Sequence, residues 1–226
     1  MDKLLSNLHR TFDHALLYPE TDEAAILRLC RDAAEYNFFS VAINPVWVQA
    51  ATAALRGTEV KVLSVAGFPL SASRPDVKLF EAMKGVADGA SEIDMVANVG
   101  WLVSGQYRMV EDEIRLLRDG LPYNVVLKVI IEAGKLTTEQ QIEATKCVIN
   151  GGAQFVKTCT GFFGGATVEQ VRTLHEAAAG QIEVKASGGI KTLAQCRELL
   201  AAGATRLGSS SSVAIMRELR ESQEKA

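Results

Sequence analysis

Ile182-Glu183-Val184-Lys185-Ala186-Ser187-Gly188-Gly189-Ile190 joins two signals in one short stretch. Side chains alternate along an extended strand, so Ile182 and Val184 face one way while Glu183 and Lys185 face the other. Ser187-Gly188-Gly189 then breaks the strand ahead of a Leu- and Ala-rich stretch with helical spacing. A short strand, a glycine turn and a helix make one βα unit. If helices cover the apolar side of that strand, its lysine points inward.

The same grammar recurs along the whole chain. Other short strand-like runs lie near 9–14, 39–44, 60–66, 91–97, 124–131 and 153–158, and the last pair near 182–186 and 204–207. Between them, Asp22–Tyr36, Arg74–Asp88, Tyr107–Gly120 and Thr137–Asn150 read as helices. Thr21, Thr137 and Thr167 are placed to cap helix starts, and Gly57, Gly89, Gly151, Gly180 and Gly203 follow helix ends. Eight such units in 226 residues is about 28 residues each, near the compact limit of a (β/α)8 TIM barrel. No linker or composition break divides the chain, so residues 1–226 read as one α/β catalytic domain. An open doubly wound sheet also alternates β and α, but no GxGxxG fingerprint follows the first strand.

Composition narrows the function classes. The chain is 48% hydrophobic and carries 24 Lys plus Arg against 27 Asp plus Glu, a net charge of −3. That balance excludes a disordered polyelectrolyte and offers no basic excess for nucleic acid. No apolar run approaches the roughly 20 residues that cross a bilayer, and the stretch from Met1 to Asn7 lacks the apolar core of a secretory leader. A cytoplasmic protein without membrane or nucleic-acid partners is expected. Cys30, Cys147, Cys159 and Cys196 form no CxxC pair, and His9, His14 and His175 form neither HxH nor HExxH. No metal site is therefore called for.

The ionisable residues within strands carry the chemistry. Asp94 sits between Ile93 and Met95, Lys128 between Leu127 and Val129, and Lys157 beyond Phe155 and Val156. With Lys185 they come from the fourth to seventh strands, toward the C-terminal ends, where barrel active sites are built. Charges brought into a core are costly unless paired, so their convergence calls for a functional explanation. Ser187-Gly188-Gly189-Ile190 and Gly208-Ser209-Ser210-Ser211-Ser212 follow the last two strands, each ahead of a helix. Small residues at a helix start let backbone N–H groups approach an anion, the usual barrel phosphate site. Lysines at the reacting end of a phosphorylated small molecule suit Schiff-base chemistry without a cofactor. Desolvation and a neighbouring ammonium both lower a lysine pKa, which suits Lys157 beside Lys185, and Asp94 offers a carboxylate for proton relay.

The motifs resemble those of the deoxyribose-phosphate aldolases, a class I aldolase family built on a (β/α)8 barrel. The resemblance runs nearly end to end, through Phe12-Asp13-His14, Ile43-Asn44-Pro45, Gly67-Phe68-Pro69-Leu70 and Glu92-Ile93-Asp94-Met95-Val96. It is most specific in Val156-Lys157-Thr158-Cys159-Thr160-Gly161-Phe162 taken with Val184-Lys185-Ala186-Ser187-Gly188-Gly189-Ile190. It implies reversible cleavage of 2-deoxy-D-ribose 5-phosphate to acetaldehyde and D-glyceraldehyde 3-phosphate. Carried over, Lys157 is the nucleophile, Lys185 the tuning cation and Asp94 the proton relay. Asp13 and Lys128 line the site, and Gly188, Gly189, Ser210 and Ser211 hold the phosphate. A homodimer is left open as the only protein partner.

Several positions depart from the family pattern. Ala15 and Tyr18 stand where many relatives have Thr and Lys, and Tyr18 is expected to lie outside the chemistry. Ala42 replaces a cysteine that reacts with aldehydes, and Cys159 replaces a serine and reads as a packed thiol. The tail from Arg217 to Ala226 lacks a tyrosine that some relatives bring to the site, which implies a slower or solvent-relayed proton transfer. Competing readings are a Schiff-base aldolase for another phosphorylated sugar and a barrel that binds a phosphometabolite without turnover. Retention of both lysines and Asp94 disfavours the second.

Overall fold

Burial on both faces marks the strands: every residue of β2 (Ser40–Ile43) and β4 (Glu92–Val96) is buried, as parallel strands between a helical layer and a filled interior must be. The computed structural model describes residues 5–224. The remaining strands are β1 (Phe12–Leu16), β3 (Lys61–Ala66), β5 (Val126–Ile130), β6 (Phe155–Lys157), β7 (Glu183–Ser187) and β8 (Arg206–Ser209). Each pairs in parallel with the next, and β8 pairs back onto β1, closing a (β/α)8 TIM barrel. Closure disposes of the open doubly wound alternative. The leader reading at Met1 to Asn7 falls mostly outside the described residues, among which no helix is long and apolar enough to cross a membrane.

The helices are α1 (Glu23–Glu35), α2 (Val48–Ala54), α3 (Pro75–Ala87), α4 (Val99–Val103), α5 (Tyr107–Gly120), α6 (Thr138–Asn150), α7 (Val168–Ala178), α8 (Leu193–Ala201) and α9 (Ser212–Glu224). In α5, Val110, Glu113, Ile114 and Leu117 are buried at i, i+3, i+4 and i+7, the spacing of one helical face. Thr137 and Thr167 close capping boxes with Gln140 and Gln170, and Thr192 does the same with Gln195. Thr21 does not cap α1. Asp22 does, accepting from the Ala25 N–H at 2.8 Å, because α1 starts at Glu23 and leaves Thr21 one residue outside the cap position.

Strand boundaries differ from expectation at β1 and β8, and β5 and β6 also start two residues late, at Val126 and Phe155. Residues 8–11 form a 3-10 turn, closed by Thr11 Oγ1 donating to the Leu8 carbonyl at 2.8 Å, so β1 starts at Phe12. The last strand runs to Ser209 rather than 207 because Gly208 and Ser209 pair with Asp13 and His14 to seal the barrel. Local preference disfavours glycine in a strand, and closure overrides it.

The wall separates two apolar clusters. Ile93, Met95, Leu127, Val129, Val156, Val184 and Leu207 point outward into the large core shared with the helices. Ala42, Leu63 and Val65 form a small cluster of their own inside. Each fully buried Val, Leu or Ile contributes about 1.5–3 kcal/mol, so the outer layer carries most of the stability. The other strands fill the interior with charge.

Candidate active site

Alternation decides which residues face in, and register decides which ones meet. Asp94 on β4 lies opposite Lys128 on β5, while Lys157, Lys185 and Arg206 are successive partners across β6, β7 and β8. Asp13, on β1, sits beside Gly208 of β8. The interior therefore sets three register-neighbouring cations facing carboxylates from β1 and β4.

Asp94 is the hub. Its Oδ2 accepts from Lys157 Nζ and Lys185 Nζ, each at 2.7 Å, and its Oδ1 lies 3.3 Å from Lys128 Nζ. Lys185 also pairs with Asp13 Oδ2, and Lys128 with Glu92. All of these groups are almost wholly buried. Burial alone would raise the Asp94 carboxyl, but the ammonium groups of Lys157, Lys185 and Lys128 outweigh it and hold it well below the usual range. Asp13 is held low in the same way by Lys185 and Arg206. Burial pulls Lys157 down, Asp94 pulls it back up, and Lys185 lowers it again, leaving it at about 8. Lys185 also suffers burial, but Asp13 and Asp94 lift it above its ordinary value. The two neighbouring lysines thus divide: one loses its proton readily and the other keeps it.

Above this cluster a cavity of about 270 Å³ opens at the C-terminal end of the barrel. Lys157 and Lys185 reach its floor, and Gly188, Gly189, Lys191 and Ser210 line its wall. Glycines bring that wall close. A Cβ on Gly188 would lie 2.9 Å from the Gly164 carbonyl and 3.0 Å from Gly161 Cα, and its φ of +91° suits glycine alone. Ser187 Oγ donates to the Cys159 carbonyl at 2.6 Å, and Cys159 Sγ donates to the Ser187 carbonyl at 2.8 Å. Cys159 is therefore a buried donor that knits the β6 and β7 loops, and burial pushes its thiol up.

Of the residues singled out in the sequence, Asp13, Asp94, Lys128, Lys157 and Lys185 come together, and Gly188, Gly189 and Ser210 line the cavity. Ser211 does not line it; its N–H donates to Ser209 Oγ at 2.9 Å just ahead of α9. The charges also sit deeper than expected. Only Lys157 ends its strand, whereas Asp94, Lys128 and Lys185 are central residues of theirs; the long lysine chains reach across to Asp94 and, from Lys185, up to the floor. Tyr18 lines the cavity mouth, its ring 6.0 Å from that of Phe162, since the turn after β1 folds it over the opening. Sequence reasoning passed over Glu92 and Arg206. Glu92 lies two residues before Asp94, hence on the same strand face, and Arg206 is flanked by Thr205 and Leu207 in the last strand.

No family model matches the chain. A deoxyribose-phosphate aldolase of Clostridium kluyveri is 46% identical over 96% of this chain and 99% of its own length. That of Enterococcus faecalis is 45% identical over 92% of this chain and 96% of its own. The solved deoxyribose phosphate aldolase of Aeropyrum pernix, described as a unique tetramer, superposes with a TM-score of 0.88 at 30% identity, covering 94% of this chain and 91% of that one. With relatives this similar over nearly their full length, the chain belongs to the deoxyribose-phosphate aldolase family, whose members are aldehyde-lyases.

Proposed function

We propose that this aldolase reversibly cleaves 2-deoxy-D-ribose 5-phosphate to acetaldehyde and D-glyceraldehyde 3-phosphate through a Schiff base on Lys157. The observation that carries the reading is the shared oxygen: Lys157 Nζ and Lys185 Nζ each lie 2.7 Å from Asp94 Oδ2 at the floor of the cavity. Neutral Lys157 attacks the substrate C1 aldehyde, and loss of water leaves a protonated Schiff base. Asp94, working with Lys185 and a water, takes the C3 hydroxyl proton. The C2–C3 bond then breaks, its electron pair moving into the iminium to form an enamine, and glyceraldehyde 3-phosphate departs. Protonation at C2 and hydrolysis release acetaldehyde and restore the lysine.

The wall of the cavity supports a phosphorylated substrate. Gly188, Gly189 and Ser210 line it ahead of α8 and α9, whose N-termini favour an anion, Lys191 adds a cation, and Ser211 stands just before α9 without lining it. Asp13 and Lys128 hold the relay below it. We take residues 1–226 to act as one domain, in the cytoplasm, with a second copy of the chain as its partner. The exposed Val77, Phe80 and Met83 along α3 support a homodimer. Borohydride reduction with deoxyribose 5-phosphate, followed by peptide mass mapping, tests the chemistry. The adduct is expected on Lys157, with acetaldehyde as product and activity unchanged by EDTA. An adduct on Lys185 or Lys128 would overturn the assignment.

A further inference from the structure

The buried charges form a closed circuit. Asp13 pairs with Lys185, Lys185 with Asp94, Asp94 with Lys128, Lys128 with Glu92, Glu92 with Arg206, and Arg206 with Asp13 again. Signs alternate at every step, so three carboxylates and three cations cancel around the ring. The last two contacts are 3.3 Å from Arg206 to Glu92 Oε2 and 2.9 Å from Arg206 to Asp13 Oδ1. Lys157 is no member of the ring. It hangs from Asp94 as a fourth cation facing three carboxylates.

We propose that Arg206 is a positioning residue that makes Lys157 the supernumerary cation of the barrel interior, with Glu92 limiting the excess to one charge, so that the nucleophile is the group that gives up its proton. The inference rests on the Schiff-base reading for its consequence, though not for its test. An unbalanced buried positive charge is relieved by losing one proton. Arg206 cannot supply it, because a guanidinium does not deprotonate in proteins. Its carbon lies 3.4 Å from the centroid of the Phe39 ring, which fixes it in place. Lys185 lies between two carboxylates, Asp13 and Asp94, and Lys128 between Glu92 and Asp94. Lys157 touches one carboxylate, which it shares with two other ammonium groups. It is therefore the least compensated cation.

Every strand packed around Lys157 enters this account. β1 presents Asp13, β4 Glu92 and Asp94, β5 Lys128, β7 Lys185 and β8 Arg206. β2 and β3 present Ser40, Ala42, Leu63 and Val65, which do not titrate in this range; Lys61 and Glu183 share the inward parity at the exposed N-terminal ends of β3 and β7 and are opposite in sign. Nearer the mouth, Glu132 is engaged by Thr160, Cys159 by the Ser187 carbonyl, and Lys191 lines the opposite wall.

Acetylation of Lys157 by acetic anhydride across a pH series, located by peptide mass spectrometry, reads whether the amine holds a proton. It needs no Schiff base, so it decides the ring separately from the borohydride experiment. Arg206→Met leaves three carboxylates facing three lysines; Lys157 then keeps its proton, and labelling at pH 7 falls roughly tenfold, recovering at higher pH. Arg206→Lys restores the original profile. Glu92→Gln, which also serves if Arg206→Met does not fold, moves the midpoint down. Unmoved midpoints, or a shift of Arg206→Met and Glu92→Gln in the same direction, would overturn the proposal.

Discussion

Lys157 and Lys185 are register partners on β6 and β7, and both donate to the same oxygen of Asp94. Burial lowers both lysines, and Asp13, which pairs with Lys185, lifts that one back above its ordinary value, leaving Lys157 as the depressed one. Lys157, held at about 8, is protonated below that pH and neutral above it. The rate of Schiff-base formation should rise about tenfold per pH unit on the acid side and level off above pH 8. A profile flat from pH 6 to 9 would contradict this assignment.

Asp94 is the carboxylate that reaches Lys157, Lys185 and Lys128 at once. Asp94→Asn removes its charge while leaving the phosphate wall intact. Steady-state kinetics should give a kcat lower by roughly 10²–10⁴-fold, with KM changed far less. A comparable loss in KM alone would assign Asp94 to binding.

Ala42 lines the cavity beside Lys157 and Lys185. Ala42→Cys would place a thiol within reach of aldehydes that the unsubstituted chain meets with a methyl group. Incubation with concentrated acetaldehyde should inactivate the variant several-fold faster. Equal inactivation rates would remove Ala42 as a source of tolerance.

His14, on β1, is buried against the Phe38 ring, 5.1 Å between centroids. Burial lowers it from 6.5 to about 4, against the opposing pull of Asp32 and the Ser209 backbone. The unfolded chain therefore takes up a proton first, and stability falls as pH drops from about 6.5 toward 4, by on the order of 3 kcal/mol. Urea midpoints compared at pH 7 and pH 5 should show a smaller loss in His14→Gln than in the unsubstituted chain.

Lys78 on α3 and Glu113 on α5 form a fully buried pair at 2.7 Å. Lys78 Nζ also donates to the Val96 carbonyl at 2.8 Å, and the Asn98 N–H donates to Glu113 Oε2 at 2.9 Å. The pair thus ties two helices to the chain just beyond Asp94. Lys78→Met leaves Glu113 as a lone buried charge and should cost about 3–5 kcal/mol. Adding Glu113→Leu should recover much of that loss, read as the denaturation midpoint of the double variant.

Much of this was legible in the sequence. Tyr107–Gly120 is a helix over those same bounds, and the alternation in Ile93-Asp94-Met95 and Leu127-Lys128-Val129 identified groups facing inward, because strand parity is a local property. Capping threonines were readable for the same reason, except Thr21, which lies one residue before the cap at Asp22. The end of β8 was not, since it is set by pairing with β1 across nearly the whole chain, and the start of β1 was displaced by a 3-10 turn over residues 8–11.

Local periodicity along the chain carries the eight-fold alternation and the inward placing of Asp94, Lys128, Lys157 and Lys185, though not that of Glu92 and Arg206. Tertiary structure alone decided their partners. The ring closes between Arg206 and Asp13, 193 residues apart, and parity states only which face a side chain occupies. Which carboxylate meets which ammonium depends on the stagger between strands, and that is fixed only when β8 returns to β1.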